Sequence, residues 1–486
     1  MGKNGSWSAS LCVMASLLLA ACGPAREPVV VTEVVEIRET VVVEQSRIVE
    51  AEPREVTIVE TVEVVVTAEP EPTEVSLSGQ CCDDYRIGLY LLAPTTTNYW
   101  DYLGPGSSIT NAYVLDGSAP SLYTLADVTF QFVPELAKDL VEPVDNGDGT
   151  WTVTVPMVEG AQWSDGQPIT CHDLAFTFNA CKDLKLTDNW PNNCTPSGLE
   201  ASVDCPEDHT VRFTFHNQAP SLGTWQAGLA LAPFLPRHFW ADVVAEAYAY
   251  IDGLEEPAVE MPKGVDCTLE GMSEEDQAAC QPYLAEWLPY SEAFRNARET
   301  LYQADASGAP SGGAYVTGKL EPGAIVRRTA NEHYYFKGAE IVEYEDGTWL
   351  QILPDGTWRQ LYGDAQGAET LRYTVGPHAP TVLFTTYGSA DAAFLALAEG
   401  EVDYVLNPSE TPRGIREMVE DRGEDIETYV SAAYGMAYLG FNLRQAPMSD
   451  YAFRQAVEIV LDKEFIIDAV LGGVAYPLYS TMPPGN

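Results

Sequence analysis

Trp163 to Phe178 reads WSDGQPITCHDLAFTF. Asp165-Gly166 is a tight-turn pair, Thr170 is a residue type that caps helix N-termini, and Leu174 and Phe178, four apart, share one face of the helix that follows. Just upstream, TWTVTV at Thr150–Val155 alternates as a half-buried strand does, and VPELAKDL at Val133–Leu140 leads into it. The predicted local order is strand, turn, capped helix.

Working outward, the same alternation recurs in YRIGLYLL from Tyr85, HTVRFTFH from His209, AIVRRTA from Ala324 and LRYTV from Leu371. Helical spacing is predicted over Thr170–Cys181, Pro236–Tyr250, Pro282–Tyr302, Ser389–Glu399 and Ser449–Leu471. Asp-Gly pairs at Asp148, Asp346 and Asp355, each followed by Thr-Trp, are read as hairpin tips. Strands interleaved with helices point to an α/β body with α+β elements in several layers. The folded part is expected to begin near Tyr85.

The chain has 486 residues, 46% apolar and 20% charged, enough to build packed cores. Its 72 Asp and Glu against 26 Lys and Arg give a formal charge of -46, which repels a phosphate backbone and excludes nucleic acid as a partner. No G-x-S-x-G or H-E-x-x-H occurs, and the six His are scattered without metal-ligand spacing, so neither a catalytic residue nor a metal site nor a cofactor is expected. Gly313–Lys319 spells G-x-x-x-x-G-K, but Leu320 stands where a phosphate loop needs Ser or Thr. Paired acids carry no information in so acidic a chain.

Lys3 followed by the apolar run Leu11–Ala21 has the form of an export signal, too short to span a bilayer. Leu19, Ala20, Ala21 and Cys22 resemble the lipobox of bacterial lipoproteins, which implies a signal peptide over 1–21 and lipidation of Cys22. Residues 22–82 are dominated by Val and Glu, a composition that cannot form a core and is read as a tether. A partial heptad leaves a short coiled coil as the lesser alternative. Apart from Cys12 and Cys22, eight Cys remain, an even number suited to disulfides in an exported chain. Cys171 and Cys181 lie about 15 Å apart along one helix and cannot pair, so each looks elsewhere, with Cys194 and Cys205 nearest. Cys267 and Cys280 bracket a short acidic loop and are expected to pair.

In order and wording, the series from Val133 to Phe178 resembles the family-5 solute-binding proteins of ABC importers, the group that includes oligopeptide, dipeptide and nickel binders. GGAYVTGKLEPG from Gly312, LALAEGEVDYV from Leu395 and YLGFNLRQAPMSDYAFRQAVEIVLDKEFIIDAVLGG from Tyr438 extend the resemblance over residues 85 to 486. It implies a periplasmic-binding-protein-like two-lobe fold with an extra small lobe II, C-terminally incomplete. Lobe I is then 83–125 and 312–440, lobe II 126–311, and 441–486 the start of lobe III. Three departures stand out: Cys171 replaces the usual Ala, Asp252–Pro282 is elongated, and the hairpins of Tyr344–Tyr362 are inserted.

The resemblance implies an extracytoplasmic lipoprotein, held to the membrane by its lipid, that delivers a ligand, first of all a peptide, to an ABC permease by lobe closure. Position in the family pattern picks Tyr99, Trp100, Trp190, Asn407, Tyr434 and Gly435 as ligand-binding candidates, and Trp163, Asp165 and Gly166 as turn and packing residues. The competing functions are a secreted hydrolase of peptides or glycosides and a sensory surface protein of the same fold.

Overall fold

The computed structural model describes residues 83–478, apart from 91, 116, 126–131, 222–223, 269–271, 319, 321–324, 365–366, 407–413, 416–417, 419–425, 427–436, 472 and 474. In chain order the first strands are β1 (Asp84–Leu89), β2 (Tyr123–Leu125), β3 (Phe132–Pro134), β4 (Val144–Asp145), β5 (Trp151–Pro156), β6 (Ala201–Glu207) and β7 (Thr210–Phe215). Then come β8 (Tyr315–Thr317), β9 (Val326–Ala330), β10 (Glu340–Tyr344), β11 (Trp349–Ile352), β12 (Trp358–Tyr362), β13 (Glu369–Thr374), β14 (Thr381–Thr386) and β15 (Tyr404–Val405). The helices are α1 (Tyr99–Tyr102), α2 (Ile109–Leu115), α3 (Cys171–Asp183), α4 (Pro191–Cys194), α5 (Arg237–Ala249), α6 (Glu274–Tyr302), α7 (Ala390–Ala398) and α8 (Tyr451–Val460).

One mixed sheet has the order β15-β1-β14-β9-β8. Its centre is parallel: β1 runs with β14 from Asp84↔Thr381 to Leu89↔Thr386, and with β15 at Ile87↔Tyr404. Parallel neighbours need a crossover, and α7 supplies it between β14 and β15, burying Ala393, Phe394 and Ala396. The carboxyl ends of three strands therefore meet at one edge.

A second, antiparallel sheet has the order β4-β5-β7-β6. Alternate residues of β7, Val211, Phe213 and Phe215, point into the largest core, where they meet Phe178, Trp225 and Trp240. Helix α3 starts where the turn chemistry predicts, after Thr170, whose N–H is accepted by the Asp173 carboxylate at 2.9 Å. Trp163 is fully enclosed, and Asp165 closes its turn by accepting the Gln167 N–H at 3.1 Å. Three disulfides pin this half: Cys171–Cys205, Cys181–Cys194 and Cys267–Cys280.

The third sheet, β12-β11-β10-β13, contains the hairpins of Tyr344–Tyr362. All three Asp-Gly pairs sit at hairpin tips, where Asp148, Asp346 and Asp355 accept the N–H of Thr150, Thr348 and Thr357. Arg359 of β12 binds this sheet to the β3 segment, donating to the carbonyls of Ala137 at 2.9 Å and Pro134 at 3.1 Å.

Two helix boundaries differ from the sequence reading. Helix α6 begins at Glu274 rather than Pro282, because Ser273 accepts the Asp276 N–H at 3.1 Å and three acids of the first turn complement the helix dipole. Pro282 and Pro289 are carried inside it. The helix predicted over 449–471 is broken at Leu461–Asp462, where the Asp462 carboxylate accepts the Phe465 N–H at 2.9 Å and caps a new helical segment.

Candidate functional site

In open sheets with parallel strands, ligands gather outside the carboxyl ends. Here that edge carries the loops after β1, β14 and β15, beginning at Tyr90, Tyr387 and Leu406. Two backbone bonds tie them together: the Tyr387 N–H donates to Leu89 O at 2.7 Å and the Leu406 N–H to Gly88 O at 3.0 Å. Below the edge, Arg86 of β1 grips Asp403 with Nη2 2.6 Å from Oδ1 and Nε donating to Oδ2 at 3.0 Å.

The segment 95–98 is held by two buried asparagines. Asn111 accepts the Thr95 N–H at 2.8 Å and donates to Thr95 Oγ1 at 2.9 Å and Gly106 O at 2.6 Å. Asn98 caps α1 by accepting the Trp100 N–H at 2.9 Å. Its Nδ2 meanwhile lies 2.7 Å from Leu301 O and 3.1 Å from Ala304 O, at the end of α6. Helix ends leave such carbonyls without intrahelical partners, so one side chain serves two helices. The loop after β1 is fixed before any ligand arrives.

Four tyrosines mark the edge: Tyr90, Tyr113 on α2, Tyr387 and Tyr404, the last of these 44% exposed. Burial pushes the Tyr90 phenol upward, with the Tyr113 phenol adding to it, and Tyr113 is raised in turn by burial and by Tyr404. Tyr387 is raised first by burial and then by Glu401. The Tyr90, Tyr113 and Tyr387 phenols stay protonated at neutral pH, and a phenol can donate and accept beside an apolar ring. The edge can satisfy the backbone of an extended ligand without choosing its side chains.

Of the sequence candidates, Tyr99 is half-buried, edge-on to Tyr102 at 5.3 Å, and lines a narrow cavity of about 40 Å³ with Ser118, Trp163, Trp240 and Ser311. That space suits one or two waters, not a peptide side chain. Trp100 and Trp190 were expected on a ligand wall, and the structure places both in the core with no exposed surface. They stack at 5.0 Å, and Trp190 Nε1 donates to Trp100 O at 2.8 Å. Their apolar area explains the placement, since a fully buried aromatic is worth about 2 kcal/mol or more. Asn407, Tyr434, Gly435 and Cys22 lie outside the described residues. Among the described residues no group of His, Cys, Asp and Glu could hold a metal ion. Tyr90, Asn98, Asn111, Tyr113, Tyr387 and Tyr404 were missed; Asn98 alone had a signal, standing before YWDY as an N-cap would.

Residues 131–486 match the family model of bacterial extracellular solute-binding proteins, family 5 Middle. The chain belongs to this family. As a family-5 solute-binding protein it shares its fold with the oligopeptide-binding protein AppA of Bacillus subtilis, solved in complex with a nonapeptide. That likeness has a TM-score of 0.52 and 15% identity, and covers 84% of this chain and 59% of that one. The oligopeptide-binding protein of Thermus thermophilus, complexed with a pentapeptide, aligns at a TM-score of 0.49 and 14% identity, covering 83% and 59%. The peptidoglycan-binding protein YepA of Agrobacterium fabrum is 33% identical over 102 residues, 20% of this chain and 15% of that protein. This family-5 protein thus spans about three-fifths of the length of the solved structures it matches. No described helix is long and apolar enough to cross a membrane.

Proposed function

We propose that this protein is the ligand receptor of an ABC importer, that its ligand is a peptide, and that the peptide is released unchanged to the permease. The observation that carries this reading is the parallel core β14–β1–β15, whose carboxyl edge presents a fixed loop and protonated tyrosines in a chain of the solute-binding family. In this reading Tyr90, Tyr113, Tyr387 and Tyr404 line one wall, Tyr99 supports it, and Asn407, Tyr434 and Gly435 add contacts from the segments that follow β15. Trp100 and Trp190 hold the wall in place from behind. Lobe closure over the peptide would form the shape that the permease recognises. Cys22 carries the lipid that keeps the protein at the outer face of the membrane.

The test is incubation of the purified protein with a mixed pool of short peptides, followed by native mass spectrometry. The expected result is a complex whose peptide is recovered at its original mass. Cleaved peptides would overturn the reading in favour of a hydrolase, and absence of any complex would overturn it altogether.

A further inference from the structure

The outer strand of the antiparallel sheet, β6, borders a recess of about 390 Å³ lined by Lys182, Thr195, Leu199, Glu200, Ser202 and His216. It shares no residue with the tyrosine edge. A volume in this range suits a small molecule.

The recess is built rather than incidental. Lys182 and Thr195 each directly follow a bridged cysteine, so the Cys181–Cys194 disulfide fixes two of its walls. The third wall is clamped by Asn217, whose Oδ1 accepts the Glu200 N–H at 3.0 Å and whose Nδ2 donates to Gly198 O at 2.9 Å. The wall turns through Ser197 at φ 52° and Gly198 at φ 72°. A left-handed serine is unfavourable and persists where its surroundings over-determine it.

The recess carries one charged side chain of each sign. Acids outnumber bases 72 to 26, and Lys138, Lys185 and Lys337 are each taken up by a glutamate. Lys182 is in no ion pair among the described residues; its Nζ has Ala201 O at 3.5 Å and the Phe178 ring at 5.7 Å. Glu200, which also lines the recess, is in no ion pair among the described residues either. Ser202 Oγ and His216 Nε2 stand 2.9 Å apart beside them. Leu199 and Ala201, both under 4% exposed, back the recess from the core.

We propose that this recess is a second binding site, for a small zwitterion of the α-amino-acid type. The carboxylate meets Lys182 and the Ser202 hydroxyl, and the ammonium meets Glu200. Glu200 disfavours a dianion such as phosphate, and Lys182 disfavours a bare cation, so the paired charges select a ligand that carries both.

Calorimetric titration of the oxidised full chain tests this with leucine, leucinamide, 4-methylpentanoate and inorganic phosphate. The expected order is leucine first, with each of the other three at least about tenfold weaker. Lys182→Gln and Glu200→Gln are each expected to lower leucine affinity by at least about tenfold, while Lys182→Arg keeps it and peptide binding at the tyrosine edge is untouched. Circular dichroism confirms that each variant is folded. Phosphate binding as tightly as leucine, leucine affinity unchanged in both Gln variants, or no leucine binding at all would overturn the proposal.

Discussion

Arg86 and Asp403 meet four times: the guanidinium grips both carboxylate oxygens, the Arg86 backbone N–H donates to Oδ2 at 2.8 Å, and the Asp403 N–H donates back to Arg86 O at 2.8 Å. Asp403 is the aspartate of the EVDYV series, so this motif residue fastens the short strand β15 to β1. The pair positions the edge. Both side chains are about one-third exposed, which screens the attraction and limits its value.

Asp403→Asn is expected to lower stability by about 1 kcal/mol, an effect that shrinks in high salt. Hydrogen bonding from Arg86 holds the Asp403 carboxyl below the usual carboxylate range. A depressed folded-state value means the contribution is present above the unfolded value near about pH 4 and is lost as pH falls through the folded one. Urea unfolding of wild type and variant between neutral and acidic pH should show the two curves converging at the acidic end.

Asn98→Ala should cost about 2–4 kcal/mol, because it removes the cap of α1 and leaves carbonyls at the end of α6 without their donor. Asn98→Asp keeps the acceptor and loses the donor, so it should remain destabilised. Denaturant midpoints of the two variants check this; an Asp variant as stable as wild type would show that the α6 contacts contribute nothing.

Gly313 lies against the chain where it first crosses between the sheets: a Cβ there would stand 1.6 Å from Gly117 O. Neither backbone can retreat cheaply, since Gly312 N–H donates to Ser118 O at 2.9 Å and Asn331 Nδ2 to Gly313 O at 2.8 Å. Gly313→Ala is therefore expected to lose about 3 kcal/mol. Gly388→Ala, with nothing within 4 Å of the added carbon, should be near neutral, and thermal melting of the two variants checks both values.

With a formal charge of -46, self-repulsion opposes the compact state until salt screens it. The thermal midpoint should rise steadily when sodium chloride is raised from about 10 mM to about 1 M. A flat response would mean that the acids are spaced widely enough not to matter.

Where local chemistry alone decides, the chain was legible. The Asp165-Gly166 turn, the Thr170 cap, the three Asp-Gly hairpin tips and the separation of Cys171 from Cys181 all follow from residue type and spacing. Helix α6 was misplaced because Pro282 looks like a helix start, whereas the capping signal of Ser273 and Asp276 lies earlier. Trp100 and Trp190 were legible as important but not as buried, since a tryptophan's type does not say which side of a loop it faces. Tyr113 and Tyr404 come together only through the parallel pairing of β1 with β15, a contact between segments more than 300 residues apart that no local pattern encodes.

The most direct test of the tyrosine edge as a ligand wall is amide hydrogen exchange with and without a peptide recovered from the pool. The account predicts added protection in 90–99, 387–389 and 404–406, and its loss, at unchanged melting temperature, in a Tyr113→Phe, Tyr404→Phe double variant. Saturating peptide with no change in exchange at those three loops, or protection confined to the β4–β7 sheet, would contradict it.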